Sequence, residues 1–211
     1  ASSDQVLVLI DGVRVADQAS PSGGFDFGNL LLGTAGKVDV LRGSNSTIWG
    51  SESVGGVVDV STRTERGLTG SVEFGARDTL FASAAAGAGN DDVFFGLTGS
   101  WYETDGFSAA ASGTEADGSQ QFALGTTAFV NLTPSLELFA HGNFAEGEVD
   151  IDGFPAPAFV LADTEDTQKT TRYWGDVGLA YYGNDLTLRA AYSRSDTERA
   201  NRNGAGAETF A

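Results

Sequence analysis

The sequence predicts a mainly β protein in two parts, a small α/β or β-rich module over residues 1–66 and a set of antiparallel strands over residues 67–211. Three observations lead there. After Leu68, seven runs of similar length alternate apolar and polar residues with period two, as strands with one greasy and one wet face do. The connections between the runs alternate between tight turns and long polar stretches. No apolar run is long enough for a transmembrane helix, whereas strands that cross a membrane leave a much weaker hydropathy signal.

The module opens on Val6-Leu7-Val8-Leu9-Ile10, an unbroken run of β-formers. Asp11-Gly12 and then Val13-Arg14-Val15 follow, and an Asp-Gly pair between apolar runs predicts a hairpin. Residues 18–36 read as loop, with a short apolar piece at Leu30-Leu31-Leu32. Residues 38–63, VDVLRGSNSTIWGSESVGGVVDVSTR, place two apolar-alternating runs around a segment rich in Gly and Ser.

The second part is expected to hold strands at 69–77, 79–88, 93–102, 122–132, 136–144, 173–182 and 186–194. Their apolar faces carry Val72 and Phe74, Leu80 and Ala82, Phe95 and Leu97, Leu124 and Val130, Leu138 and Ala140, Val177 and Leu179, and Leu188 and Tyr192. Residues 89–92, 133–135 and 183–185 are tight turns, and residues 103–121 and 146–171 are polar loops. Strands of about 9–11 residues cross a bilayer when tilted. Trp101, Tyr102, Tyr173 and Trp174, near strand ends, suit an aromatic girdle. A soluble antiparallel sandwich also alternates. The similar strand lengths, the asymmetric connections and greasy faces free of charge favour a barrel wall.

With 12 basic against 29 acidic residues and a net charge of −17, the chain lacks the basic face that nucleic acid requires. It has no cysteine and a single histidine, His141, so thiolate and His-rich metal centres are excluded. His141 falls on a wet strand face and reads as a polar, lumen-facing residue. Gly33-Thr34-Ala35-Gly36-Lys37 is no P-loop, because Leu31 holds the first Gly position and Val38 follows the lysine. No nucleophile–base pair or two-carboxylate site can be argued, so no enzymatic activity is expected.

Val6 to Val15 and residues 38–63 together resemble the plug domain of TonB-dependent outer-membrane receptors. Asp11-Gly12, Leu41-Arg42-Gly43, Trp49-Gly50 and Gly55-Gly56-Val57 stand at matching positions, with Ser44 in place of a usual proline and Trp49 in place of tyrosine. The resemblance implies that residues 1–66 are the C-terminal part of a plug and residues 67–211 the first strands of a barrel. Such barrels have 22 strands, so about seven cannot close, and the chain is expected to be an excerpt without the TonB box. Gly50, Gly55 and Gly56 would supply left-handed turns and close backbone approach. Arg42 is similar to a plug arginine that pairs with barrel-wall glutamates, an ionic latch.

The implied function is uptake of a large, scarce solute across the bacterial outer membrane, energised by a TonB-type inner-membrane protein. Outer-membrane lipid and a small-molecule ligand are the other partners. Within the family the barrel part is most similar to cobalamin (vitamin B12) transporters. Gly106-Phe107 ends the third strand, and Glu115-Ala116-Asp117-Gly118 occupies the next loop. Asp152 and Asp163 flank Pro155 and Pro157. By this resemblance Glu115, Asp117, Asp152 and Asp163 are calcium ligands, in keeping with the preference of Ca²⁺ for carboxylate oxygen. Ser108 stands where a further acidic ligand is expected, and Asp105, Asp150, Glu165 or Asp166 could compensate. A ferric-siderophore receptor is the alternative within the family. A passive porin-like barrel, which needs no plug, is the alternative from another class.

Overall fold

The computed structural model describes residues 5–17, 23–44, 46–110 and 113–210. Strands β1 (Val6–Ile10), β2 (Val13–Val15), β3 (Ala35–Arg42) and β4 (Gly56–Thr62) form a mixed sheet in the order β2-β1-β4-β3. β1 and β2 pair antiparallel around Asp11 and Gly12, whose φ values are 53° and 81°. Two left-handed residues make the primed turn whose twist matches the flanking strands, so the Asp-Gly hairpin forms as expected. The Asp11 carboxylate accepts the Thr62 backbone N–H at 2.7 Å and also the Thr62 hydroxyl, tying the turn to the end of β4.

β1 runs parallel to β4, with Leu7 opposite Val57 and Ile10 opposite Val60. Both faces of β1 are covered. Leu7, Leu9 and Val57 cluster on one side, and Val8, Ile10, Val15, Phe25 and Val60 on the other. Burial on both faces explains the unbroken apolar run, since no position is left to alternate. Gly56, at φ 147°, lies where β3 meets β4, and a Cβ there would stand 2.7 Å from the Leu41 carbonyl oxygen. Only glycine fits that approach.

The second sheet is antiparallel and follows chain order. Its strands are β5 (Gly67–Phe74), β6 (Leu80–Gly89), β7 (Val93–Thr104), β8 (Ser119–Thr133), β9 (Leu136–Gly153), β10 (Ala162–Tyr182), β11 (Thr187–Arg202) and β12 (Glu208–Phe210). The seven expected strands are present, and β12 adds a short eighth. Connections 90–92, 134–135 and 183–186 lie on one rim, and 75–79, 105–118, 154–161 and 203–207 on the other. The strands outrun their apolar runs. Most of residues 146–171, expected as loop, is ladder, with Thr171 opposite Glu146 and Thr167 opposite Asp150. Backbone hydrogen bonds rather than burial extend these strands, and polar side chains on both faces hide them from a hydropathy pattern.

One face of this sheet exposes Val72, Phe74, Phe95, Leu97, Leu124, Val177, Leu179, Leu188 and Tyr192. The other face buries Phe94, Phe139 and Ala180 with the polar Thr98, Ser100, Thr127 and Asp176. Apolar outside and mixed-polar inside is the reverse of a soluble sheet and the arrangement of a lipid-facing wall. The rings of Trp101, Phe122, Phe144 and Tyr173 follow one another at 6.3, 6.3 and 5.1 Å along the end of the apolar band nearest the long loops. This row replaces part of the expected girdle. Tyr102 and Trp174, each one residue out of phase with it, point to the opposite face, and Trp174 packs against the core of the small sheet.

Candidate functional site

The small sheet sits against the inner face of the wall, and charged side chains tie the two together. Asp17, just past β2, is 1% exposed and accepts a hydrogen bond from Arg199 Nη2 on β11. Arg172 Nη2 on β10 lies 4.0 Å from the same carboxylate oxygen. The Arg172 guanidinium also stands over the Phe25 ring, 5.0 Å from its centroid. Nearby, Gln121 Nε2 on β8 donates to the Gly28 carbonyl at 2.8 Å.

A second ionic group lies toward the short-turn rim. His141 Nδ1 is 2.6 Å from Asp176 Oδ1, and Arg189 Nη2 is 3.6 Å from Asp176 Oδ2. The Arg189 guanidinium stacks on Phe139 at 4.0 Å, beside the hairpin tip at Gly12. His141 therefore faces the plug side, as its strand phase required, and its ring is held by a carboxylate.

Arg42 stands apart from these ionic groups. It is exposed at the end of β3, the plug-sheet edge farthest from the contacts of β2 with β10 and β11. Among the described residues it meets no wall glutamate. The ionic tie within this chain has the opposite polarity, a plug carboxylate on wall arginines. Sequence reasoning missed it, because Asp17 and Arg199 are 182 residues apart and neither lies in a motif. Among the motif glycines, Gly43, Gly50 and Gly56 have positive φ, whereas Gly55 does not and instead donates its N–H to the Gln5 carbonyl at 2.7 Å.

On the long-loop rim three of the predicted calcium residues, Asp117, Asp152 and Asp163, accept hydrogen bonds, and Glu115 takes part through its backbone N–H. Asp163 accepts the N–H groups of Thr114 at 2.7 Å and Glu115 at 3.0 Å. Asp152 accepts the Ala110 N–H at 2.6 Å, Asp117 the Ala109 N–H at 2.6 Å, and Asp150 the Gly118 N–H at 3.2 Å. The Ser108 hydroxyl lies within hydrogen-bonding distance of Asp152 and Asp163, at 3.3 and 3.1 Å, and can donate to one of them at a time. The backbone N–H groups of Glu115 and Thr114 hold the Asp163 carboxyl below its ordinary range. Partial desolvation and repulsion from Asp163 push Glu115 upward.

As arranged, these four residues do not fit a calcium ion. Among the described residues no three acidic or histidine side chains converge as a metal cluster. Asp152 Oδ1 is a buried oxygen without a partner, where calcium takes six to eight oxygens. The loop's own N–H groups occupy the carboxylates that a cation would need.

Comparison with known proteins agrees with this architecture. Residues 1–57 match the family described as TonB-dependent Receptor Plug Domain. The vitamin B12 transporter BtuB of Vibrio cholerae serotype O1 is 38% identical over 89 residues, covering 41% of this chain and 14% of the transporter. The siderophore receptor PirA of Acinetobacter baumannii superposes with a TM-score of 0.72 at 14% identity, over 98% of this chain and 36% of that one. The ferric enterobactin receptor PfeA of Pseudomonas aeruginosa gives the same TM-score, identity and coverage. At such identities the structural likeness shows fold alone, and the chain corresponds to a part of each relative. Residues 1–57 thus match a TonB-dependent receptor plug domain, and the chain shares the fold of part of such receptors.

Proposed function

We propose that the whole protein imports a large, scarce solute across the outer membrane, energised by a TonB-type inner-membrane partner, and that the solute is cobalamin. The observation that carries the transport reading is the seating of a plug sheet on the inner face of a wall whose outer face is apolar. A passive porin has no use for such a plug. The similarity to vitamin B12 transporters supports cobalamin, since those relatives align at the level of sequence. The siderophore receptors share the fold at much lower identity, which leaves a ferric siderophore as the second reading.

The test is equilibrium binding of cyanocobalamin to the intact protein in detergent, together with uptake by cells with and without TonB. Saturable binding and TonB-dependent uptake are expected. Absence of binding, with uptake of a ferric siderophore instead, would move the substrate and leave the transporter. Uptake that survives loss of TonB would overturn energised transport. Calcium, the other part of the resemblance, requires that loop 105–118 rearrange around Glu115, Asp117, Asp152 and Asp163. Binding compared with calcium and with a chelator tests it, and no difference is expected from the hydrogen-bonded loop.

A further inference from the structure

We infer that Arg172 and Arg199 form an oxyanion-binding site in the plug–wall seam. The Asp17 carboxylate fills it at rest, and a carboxylate or phosphate group of a small solute can take its place when that segment leaves the wall.

The charge balance is the first argument. Two guanidinium groups, of side chains 6% and 13% exposed, face one carboxylate that is 1% exposed. Asp26 also acts on Arg172 through its charge, but its oxygens accept the Gly28 N–H at 3.0 Å and Asn29 Nδ2 at 2.6 Å rather than a guanidinium. Of the acids whose charge acts on Arg172, only Asp17 lies at ion-pair distance from a guanidinium of this pair among the described residues. Burial cost is met only by close pairing.

The second argument is unfilled donor capacity. Arg172 Nε and Nη2 are buried with no hydrogen-bond acceptor. Arg199 Nε reaches only the Thr170 hydroxyl, at 3.5 Å. A guanidinium offers five N–H donors in a planar fork suited to carboxylate and phosphate. Asp17 uses part of that capacity, and a free oxyanion able to settle between both side chains would use more.

The third argument is space. Beside Arg172, Asn29, Gln121 and Thr170 line a cavity of about 10 Å³, at the lower limit for one water. No oxyanion fits in that space, which Glu146 also lines, so occupancy must be by exchange with Asp17. Arg199 lies close to Arg202, where β11 ends at the long-loop rim, so the site is near the side from which a solute would enter. The role in passage rests on the transport reading, whereas the site itself rests on the seam alone.

Chemical rescue of the intact protein in detergent tests the site without any transport. Asp17→Ala removes the resident carboxylate, and plug unfolding, followed by Trp fluorescence, is expected at a lower temperature. Formate or phosphate should restore most of that loss, while chloride at equal ionic strength should not. Adding Arg172→Gln should abolish the rescue. Protection equal to that by chloride, or rescue unchanged by Arg172→Gln, would overturn the proposal. If Asp17→Ala does not accumulate as folded protein, Asp17→Ser keeps a hydroxyl against the arginines and is read by the same comparison. Loss of TonB-dependent uptake bears on the transport reading and leaves these outcomes unchanged.

Discussion

At the level of single residues, a carboxylate's value here depends on whether its acceptors meet charge or backbone. Asp17 meets arginines and holds the plug to the wall, and removing one partner of such a buried pair costs about 3–5 kcal/mol because the other charge is stranded. Asp163 meets backbone N–H groups and orders loop 105–118. Its folded-state pKa is depressed, so its contribution is fully present above the ordinary aspartate range and disappears as pH falls through the lower, folded value. Hydrogen exchange at the Thr114 and Glu115 amides should therefore show protection at neutral pH that is lost only on strong acidification. Asp163→Asn should reduce it at every pH, because a neutral amide is a weaker acceptor. Unchanged protection in that variant would remove Asp163 from its ordering role.

At the level of elements, the wall strands read as two phases. One phase is apolar and exposed, and the other is mixed in polarity and faces the small sheet. Leu97, in the middle of β7 and 48% exposed, belongs to the first phase. Leu97→Arg should cost about 2–4 kcal/mol in a bilayer, as arginine near the midplane of a lipid-facing strand does. On a soluble sheet the same exposed change would stay within about 0.5 kcal/mol. Denaturant unfolding of the intact protein in liposomes separates the two. The period-two pattern was legible because it is local: Val93 to Trp101 states the lipid face without reference to any other strand. The Asp11-Gly12 turn was legible for the same reason, since two left-handed residues are a property of the pair itself. Strand ends were not legible. Above the aromatic row, residues such as Glu146, Glu148 and Lys169 are polar on the outer face too, and only the ladder partner defines the strand. The seam was also hidden. Gln121, Arg172 and Arg199 look like ordinary wet-face residues until the small sheet covers them, and Asp17 looks like an ordinary loop acid. The loop's hydrogen bonds were hidden too, because residue type does not say that Ser108 and loop N–H groups claim the oxygens of Asp152 and Asp163.

At the level of the whole molecule, β5 and β12 are the two edges of an eight-stranded sheet and do not pair with each other. Each presents unpaired backbone groups. In water such edges invite strand addition by other chains. In hydrocarbon they cannot persist, because each unsatisfied backbone group costs several kcal/mol. The outer face adds a second obstacle, with Leu68, Phe74, Tyr192 and Phe210 all more than 70% exposed. Detergent can cover that apolar face but cannot supply the missing ladder. Residues 1–211 expressed alone should therefore give no monodisperse, heat-resistant species in detergent and should associate through their edges. Size-exclusion chromatography with light scattering, and mobility on unheated against heated gels, would read this directly. A single compact monomer whose mobility shifts on heating would mean that this sheet closes on itself, and with closure the wall would need no further strands to surround its plug.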